Sequence, residues 1–263
     1  VSAGAGRVAL VAGASSGIGA AIARSLGELG FSVALGARRT DKLASVAADV
    51  EKAGGSAFAH ALDLADGASI DAWFDAAESA LGPVDVLVDN AGVCVPGPLH
   101  EVDPAALRAE LETNLLGPML LARRAVGSLL ARGAPGDLVF VSSENAVSPR
   151  PFQAGYTAGK WGLEGLARVL RMELEGTGVR STIVRPGPTA PTDFARGWDR
   201  ALVTRLLAVW KYWGIQRHLR WMPPESVARA VVAVVTTPPG THLDLIELMP
   251  EGPPHVRLVG GSS

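Results

Sequence analysis

The chain has 263 residues, 48% of them hydrophobic, a formal charge of −2 and a single cysteine, Cys94. That length suits one large α/β domain, the apolar fraction is enough for a buried core, and the near-neutral balance gives no ground for a nucleic-acid partner. One cysteine excludes an internal disulfide framework and fits a cytoplasmic protein, and no uninterrupted apolar run of about 18 residues marks a membrane span.

The opening VSAGAGRVALVAG lacks the basic region, apolar stretch and cleavage site of a secretory leader, and reads as a tail entering a strand. Short β-branched runs predict strands over 7–13, 32–37, 57–63, 84–90, 137–143, 180–186 and 243–249. Several are continuously apolar, as parallel strands covered on both faces must be. Helical patterns fall between them, over 17–29, 41–53, 67–81, 104–132, 154–176 and 224–236. Asp103 followed by Pro104 is a helix cap with proline at the first helical position, and MPPES opens the last helix. This alternation predicts one α/β domain over 1–263, a doubly wound parallel sheet of about seven strands with helices on both faces and right-handed crossovers.

Residues 194–222 stand outside the alternation. They hold four of the six tryptophans and the second tyrosine, and they leave the sheet at the strand ends where such folds bind ligands. Leu202, Leu206, Val209, Trp210 and Trp213 recur at helical spacing, while Arg196, Arg200, Arg205, Lys211, Arg217 and Arg220 face one acid, Asp199. A lid over a hydrophobic substrate, a subunit contact, an anionic membrane surface and plain core packing all fit that pattern.

Three stretches carry chemistry. After the first strand, Gly13, Ser15, Ser16, Gly17, Ile18 and Gly19 open a helix with spacing G-x3-G-x-G; the glycines allow a tight turn whose N–H groups can approach a pyrophosphate. The second strand ends in Ala37, Arg38 and Arg39. A carboxylate there would accept the ribose hydroxyls of NAD, whereas arginine accommodates the 2′-phosphate of NADP. In YTAGK, Tyr156 and Lys160 share one face of a helix that follows a strand ending in Ser142 and Ser143. A nearby ammonium lowers a phenol's pKa toward the range useful for proton exchange.

With GASSGIG, LD at 62–63, DNAG at 89–92, TNLLG around Asn114, VSS at 141–143, YTAGK and RPG at 185–187 in order, the sequence resembles the short-chain dehydrogenase/reductase family over roughly 7–250. The resemblance implies a Rossmann-type NADP(H)-dependent oxidoreductase interconverting a ketone or aldehyde and an alcohol. Tyr156 is then the general acid/base, Ser143 the partner of the substrate oxygen, and Lys160 the group that tunes Tyr156 and holds the nicotinamide ribose. Asn114 holds a water linked to the lysine, and Ser142 faces the cofactor. Asp63 and Leu64 would meet the adenine, Asn90, Ala91 and Gly92 the ribose, and Pro186, Gly187 and Thr189 the nicotinamide. Ala12 and Asp89 depart from the family's Thr and Asn, a change expected to soften strand-to-loop hydrogen bonds without touching a catalytic atom. The resemblance also implies a homodimer or homotetramer built on the helices at 104–132 and 154–176. No histidine spacing suggests a metal. A catalytically silent NADP-binding sensor on the same fold is the competing function, set against it by the complete set Asn114, Ser143, Tyr156 and Lys160.

Overall fold

The computed structural model describes residues 4–215 and 218–252, so the first residues of the expected tail, Arg217 and His255 lie outside the described residues. Its strands are β1 (Val8–Ala12), β2 (Ser32–Ala37), β3 (Ser56–Ala61), β4 (Val86–Asp89), β5 (Gly136–Val141), β6 (Val179–Pro186) and β7 (Leu245–Leu248). All pairings are parallel, in the order β3-β2-β1-β4-β5-β6-β7. The helices are α1 (Gly17–Glu28), α2 (Thr40–Lys52), α3 (Gly67–Leu81), α4 (Pro104–Leu111), α5 (Gly117–Arg132), α6 (Ala154–Glu173), α7 (Arg200–Tyr212) and α8 (Pro224–Val235). Predicted and observed strands differ only at their ends, where pairing frays.

Alternation along each strand divides the core into two layers. In β1, Ala9 and Val11 pack with Ile22 and Leu26 of α1 and Val227 and Val231 of α8, while Val8, Leu10 and Ala12 join Trp73 and Phe74 of α3 and Leu121 and Leu129 of α5. Each such large side chain, fully buried, stabilises the fold by about 1.5–3 kcal/mol. Strand order reverses between β1 and β4, so their C-terminal ends open a crevice.

The helix expected over 104–132 is broken. Residues Glu112–Leu116 form a π-turn between α4 and α5, and it carries Asn114. Immediately after it, a Cβ at Gly117 would overlap the Leu64 carbonyl, so the chain crosses the loop after β3 at backbone distance. The wider turn re-aims Asn114 inward, where it is buried. A second feature stiffens the substrate side. Arg185 of β6 grips Glu164 of α6 with both arms, Nε to Oε1 at 2.9 Å and Nη2 to Oε2 at 2.7 Å, and Ser142 donates to the same carboxylate at 2.8 Å. Among the described residues no helix is long and apolar enough to cross a membrane.

Candidate active site

The glycine turn is packed too tightly for side chains. Gly13 has φ +76°, and a Cβ there would lie 2.8 Å from the Ala91 backbone; one at Gly19 would overlap the Gly13 carbonyl. Asn90 donates its amide to that same carbonyl at 3.2 Å, tying the DNAG loop to the turn. Ser16 caps α1 without a side-chain bond, so the helix N-terminus keeps its N–H groups for an anion. Ser15, Ser16, Gly17 and Ile18 on one loop, and Asn90, Ala91 and Gly92 on the other, thus follow the paired ends of β1 and β4. Asp63 sits in the loop after β3, its carboxylate accepting from the Ala65 N–H, with Leu64 buried beside it. Pro186 ends β6, and Thr189 donates to the Gly187 carbonyl at 2.9 Å.

The two arginines after β2 behave differently. Arg38 points to solvent and makes no hydrogen bond or ion pair among the described residues. Arg39 turns inward, donating to the hydroxyls of both Ser15 and Ser16 at 2.8 Å and pairing with Asp193. Lys42 joins the same carboxylate at 3.0 Å. Lys42 and Asp193 are absent from the sequence expectations; neither sits in a motif, and only the fold brings them together.

Tyr156 and Lys160 lie on the inner face of α6, both buried. The Lys160 ammonium donates to the Val141 carbonyl at 2.8 Å and stands 6.0 Å from the centre of the Tyr156 ring. Ser143, two residues past β5, accepts from the Asn145 N–H at 3.2 Å and acts to lower the pKa of the Tyr156 phenol. Burial pushes the Tyr156 pKa up, the Ser143 contact opposes that rise, and the acidic neighbours Cys94, Glu110 and Glu144 add to it. The lowering expected from Lys160 therefore does not govern the phenol in this structure. The ammonium is itself pushed down by burial and is supported by the charges of Asp89 and Glu164. Asn114 spends its amide on Val93, accepting from its N–H at 2.9 Å and donating to its carbonyl at 2.7 Å. Ser142, expected to face the cofactor, instead points at Glu164.

Asp89 also needs correction. It is wholly buried at the end of β4, neither of its oxygens makes a well-formed hydrogen bond, and burial pushes its pKa up to about 6 against the pull of Lys160 and the Ala91 N–H. Far from being remote, its charge acts directly on the lysine. A second buried acid, Glu110 of α4, accepts from the Val95 N–H at 3.1 Å, and burial raises its pKa as well. Its four-residue spacing from Asn114 was the available signal.

The segment after β6 roofs this cluster. Phe194 meets the Tyr156 ring edge-on at 5.0 Å, and Trp198 packs on Phe194 while donating to the Cys94 carbonyl at 3.2 Å. From α7, Trp210 donates to the Pro151 carbonyl at 3.0 Å and Arg205 pairs with Glu101. Of the expected apolar stripe, Leu206 and Trp210 are buried, Leu202 and Val209 half-buried, and Trp213 exposed. The helix turns its inner face onto loops 94–101 and 150–153, and its last turn runs past them.

The family profile described as short chain dehydrogenase matches residues 7–202. Among curated proteins, the glycine betaine reductase of Emericella nidulans is 34% identical over 95% of this chain, which spans only 19% of that protein. The 3beta-hydroxysteroid dehydrogenase 1 of Eggerthella lenta is 34% identical over 77% of this chain and 79% of its own. A metagenomic short-chain oxidoreductase solved in complex with NADP superposes with a TM-score of 0.77 at 34% identity, covering 95% of this chain and all of the other. The family match over residues 7–202 and these relatives, on one parallel sheet with helices around it, place the chain in the short-chain dehydrogenase/reductase family.

Proposed function

We propose that this chain is an NADP(H)-dependent carbonyl reductase or alcohol dehydrogenase acting on a hydrophobic small molecule, with Tyr156 as the proton donor in reduction. The observation that carries it is the convergence of Ser143, Tyr156 and Lys160 beneath an aromatic roof at the mouth of the β1/β4 crevice.

The groove fits a phosphate-bearing dinucleotide. Glycines at 13 and 19 let the turn pack closely on itself and on Ala91, Ala37 presents no carboxylate at the end of β2, and Arg39 and Lys42 gather with two serine hydroxyls beside the turn. Bound NADPH would supply the hydride; Gly13, Ser15, Ser16, Gly17, Ile18, Gly19, Asp63, Leu64, Asn90, Ala91, Gly92, Pro186, Gly187 and Thr189 would hold it. The partners named for relatives, NADP and a hydroxysteroid, agree with this reading.

The protein's own groups then divide the work. Ser143 offers its hydroxyl to the carbonyl oxygen, where negative charge develops. Tyr156, a neutral phenol, holds the proton that this oxygen needs in reduction. Lys160 commits one N–H to Val141 and keeps the others for ribose hydroxyls. Asn114 fixes the Val93 loop opposite. Phe194, Trp198 and Trp210 exclude water from the transfer, as a lid over 194–222 would. We read 1–263 as one catalytic domain. The exposed apolar residues Trp161, Val169 and Met172 of α6, with Met119 and Leu130 of α5, suit a homodimer or homotetramer interface.

Tyr156→Phe tests the assignment. It should bind NADPH as the parent does and lose about 10²–10⁴-fold in turnover on a panel of ketones graded by size. Turnover within about threefold of the parent would remove Tyr156 from the chemistry. A parent that binds NADPH yet turns over no carbonyl on the panel would favour the silent sensor.

A further inference from the structure

Asp193 makes contacts that a surface loop residue does not need. Its Oδ2 is shared by the Arg39 guanidinium and, at 3.0 Å, by the Lys42 ammonium. Arg39 is at the same time bonded to Ser15 and Ser16 of the glycine turn. These bonds hold the Asp193 carboxyl well below the usual carboxylate range. Two cations on one carboxylate, the first of them also bonded to two serine hydroxyls of the glycine turn, make a phosphate site in all but the ligand. The protein fills it with its own carboxylate, carried across from the loop after β6.

The neighbours of Asp193 extend the contact to the chemistry. Thr192 lies against Gly17, where an added Cβ would meet its side chain at 3.2 Å. Phe194 lies on Tyr156, and Trp198 closes on Cys94. In seven residues the chain therefore runs from the cation pair to the roof of the tyrosine.

We propose that Asp193 determines cofactor specificity by competing with the 2′-phosphate for Arg39 and Lys42, so that a nucleotide carrying that phosphate, and not one lacking it, releases residues 192–198 from over Tyr156. This rests on the NADP(H) reading above. A phosphate of nearly two negative charges with three acceptor oxygens replaces one carboxylate favourably on a guanidinium and an ammonium. A neutral ribose diol cannot, so NAD leaves the Asp193 contact closed. Arg39 and Lys42, rather than the solvent-facing Arg38, are then the selective cations.

The competition scales the apparent affinity for NADP by the fraction of molecules in which the contact is open, and removing it should restore the full intrinsic affinity. Calorimetric titration of the full chain and of Asp193→Asn with NADP⁺, NAD⁺ and adenosine 2′,5′-bisphosphate reads this directly. The variant should bind NADP⁺ and the bisphosphate about fivefold more tightly, with NAD⁺ unchanged within about twofold. Trp198 emission, isolated by difference from Trp198→Phe, should change in the parent with the bisphosphate and not with NAD⁺. Unchanged or weakened bisphosphate binding in Asp193→Asn, or an equal Trp198 response to NAD⁺, overturns the role of Asp193 while leaving a parental preference for NADP⁺ intact. A parent that prefers NAD⁺ overturns the cofactor reading itself, and this proposal with it.

Discussion

The groove has two walls made in different ways. On the nucleotide wall, the β1–α1 turn is set by backbone: Gly13 against Ala91, Gly19 against the Gly13 carbonyl, and the β1–β4 ladder from Ala9 to Asp89 beneath them. On the substrate wall, residues 193–210 are tied down by single side chains reaching loops far away in sequence: Arg205 to Glu101, Trp210 to Pro151, Trp198 to Cys94 and Asp193 to Arg39. Strand register fixes the first wall once the sheet forms, and no one contact can be traded for another. The second wall rests on partly exposed contacts that are individually weak and open locally at little cost. One wall is built to hold a ligand in a fixed pose, the other to let ligands in and close over them.

Changes to the two walls should therefore differ in kind as well as size. Gly19→Ala should have the largest effect, since the new methyl must displace the Gly13 carbonyl. Overpacking of about 1–3 kcal/mol at the turn predicts NADPH binding weakened by roughly ten- to a hundredfold, measured by fluorescence titration. Binding within twofold of the parent would show that this wall yields as readily as the other.

Asp89→Asn probes the floor between them. Because the folded pKa is raised to about 6 from 3.8, the folded chain keeps a proton that the unfolded chain has lost between those values. Stability contributed by this position is thus full in acid and falls as pH rises through that window, by on the order of 2–3 kcal/mol. Asparagine removes the loss, so the variant should gain on the parent by that amount in urea unfolding at pH 7.5 and by much less near pH 4.5. A gain independent of pH would mean that Asp89 ionises in the folded chain as it does in the unfolded one, with no raised pKa.

Trp210→Ala belongs to the mobile wall. It should raise KM for bulky ketones severalfold more than for small ones and shift the melting temperature by only a few degrees. A large loss of melting temperature without size dependence would move α7 into the core. Smallest of all, Arg205→Ala breaks an exposed pair with Glu101 and should leave melting unchanged within error, altering at most the KM for the larger ketones.

The boundary of legibility follows the same division. Gly13, Gly19, Tyr156 and Lys160 could be placed in advance because each sits inside a local pattern: a strand-to-helix turn or a four-residue helical step. Asp193 and Lys42 could not, being separated by 151 residues and joined only where β6 returns beside β5 and its following loop folds over α1. Charge states were equally hidden. Composition showed an aspartate in DNAG and a lysine beside a tyrosine, yet burial, which is a property of the packed molecule, raises Asp89 and Tyr156 and commits the Lys160 charge partly to Asp89.

By itself the sequence determined the seven parallel strands, their covering helices and the crevice at which they open, because hydrophobic period and turn chemistry are local and act before any long-range contact exists. It also determined that a tyrosine and a lysine would share one helix face there. Only the tertiary structure decided which arginine turns inward, what fills the cation pair, how the 104–132 helix breaks at Asn114, and which side of α7 meets the loops at Glu101 and Pro151. Those depend on distances between segments far apart in the chain, and no local pattern encodes a distance that exists only after the sheet has closed.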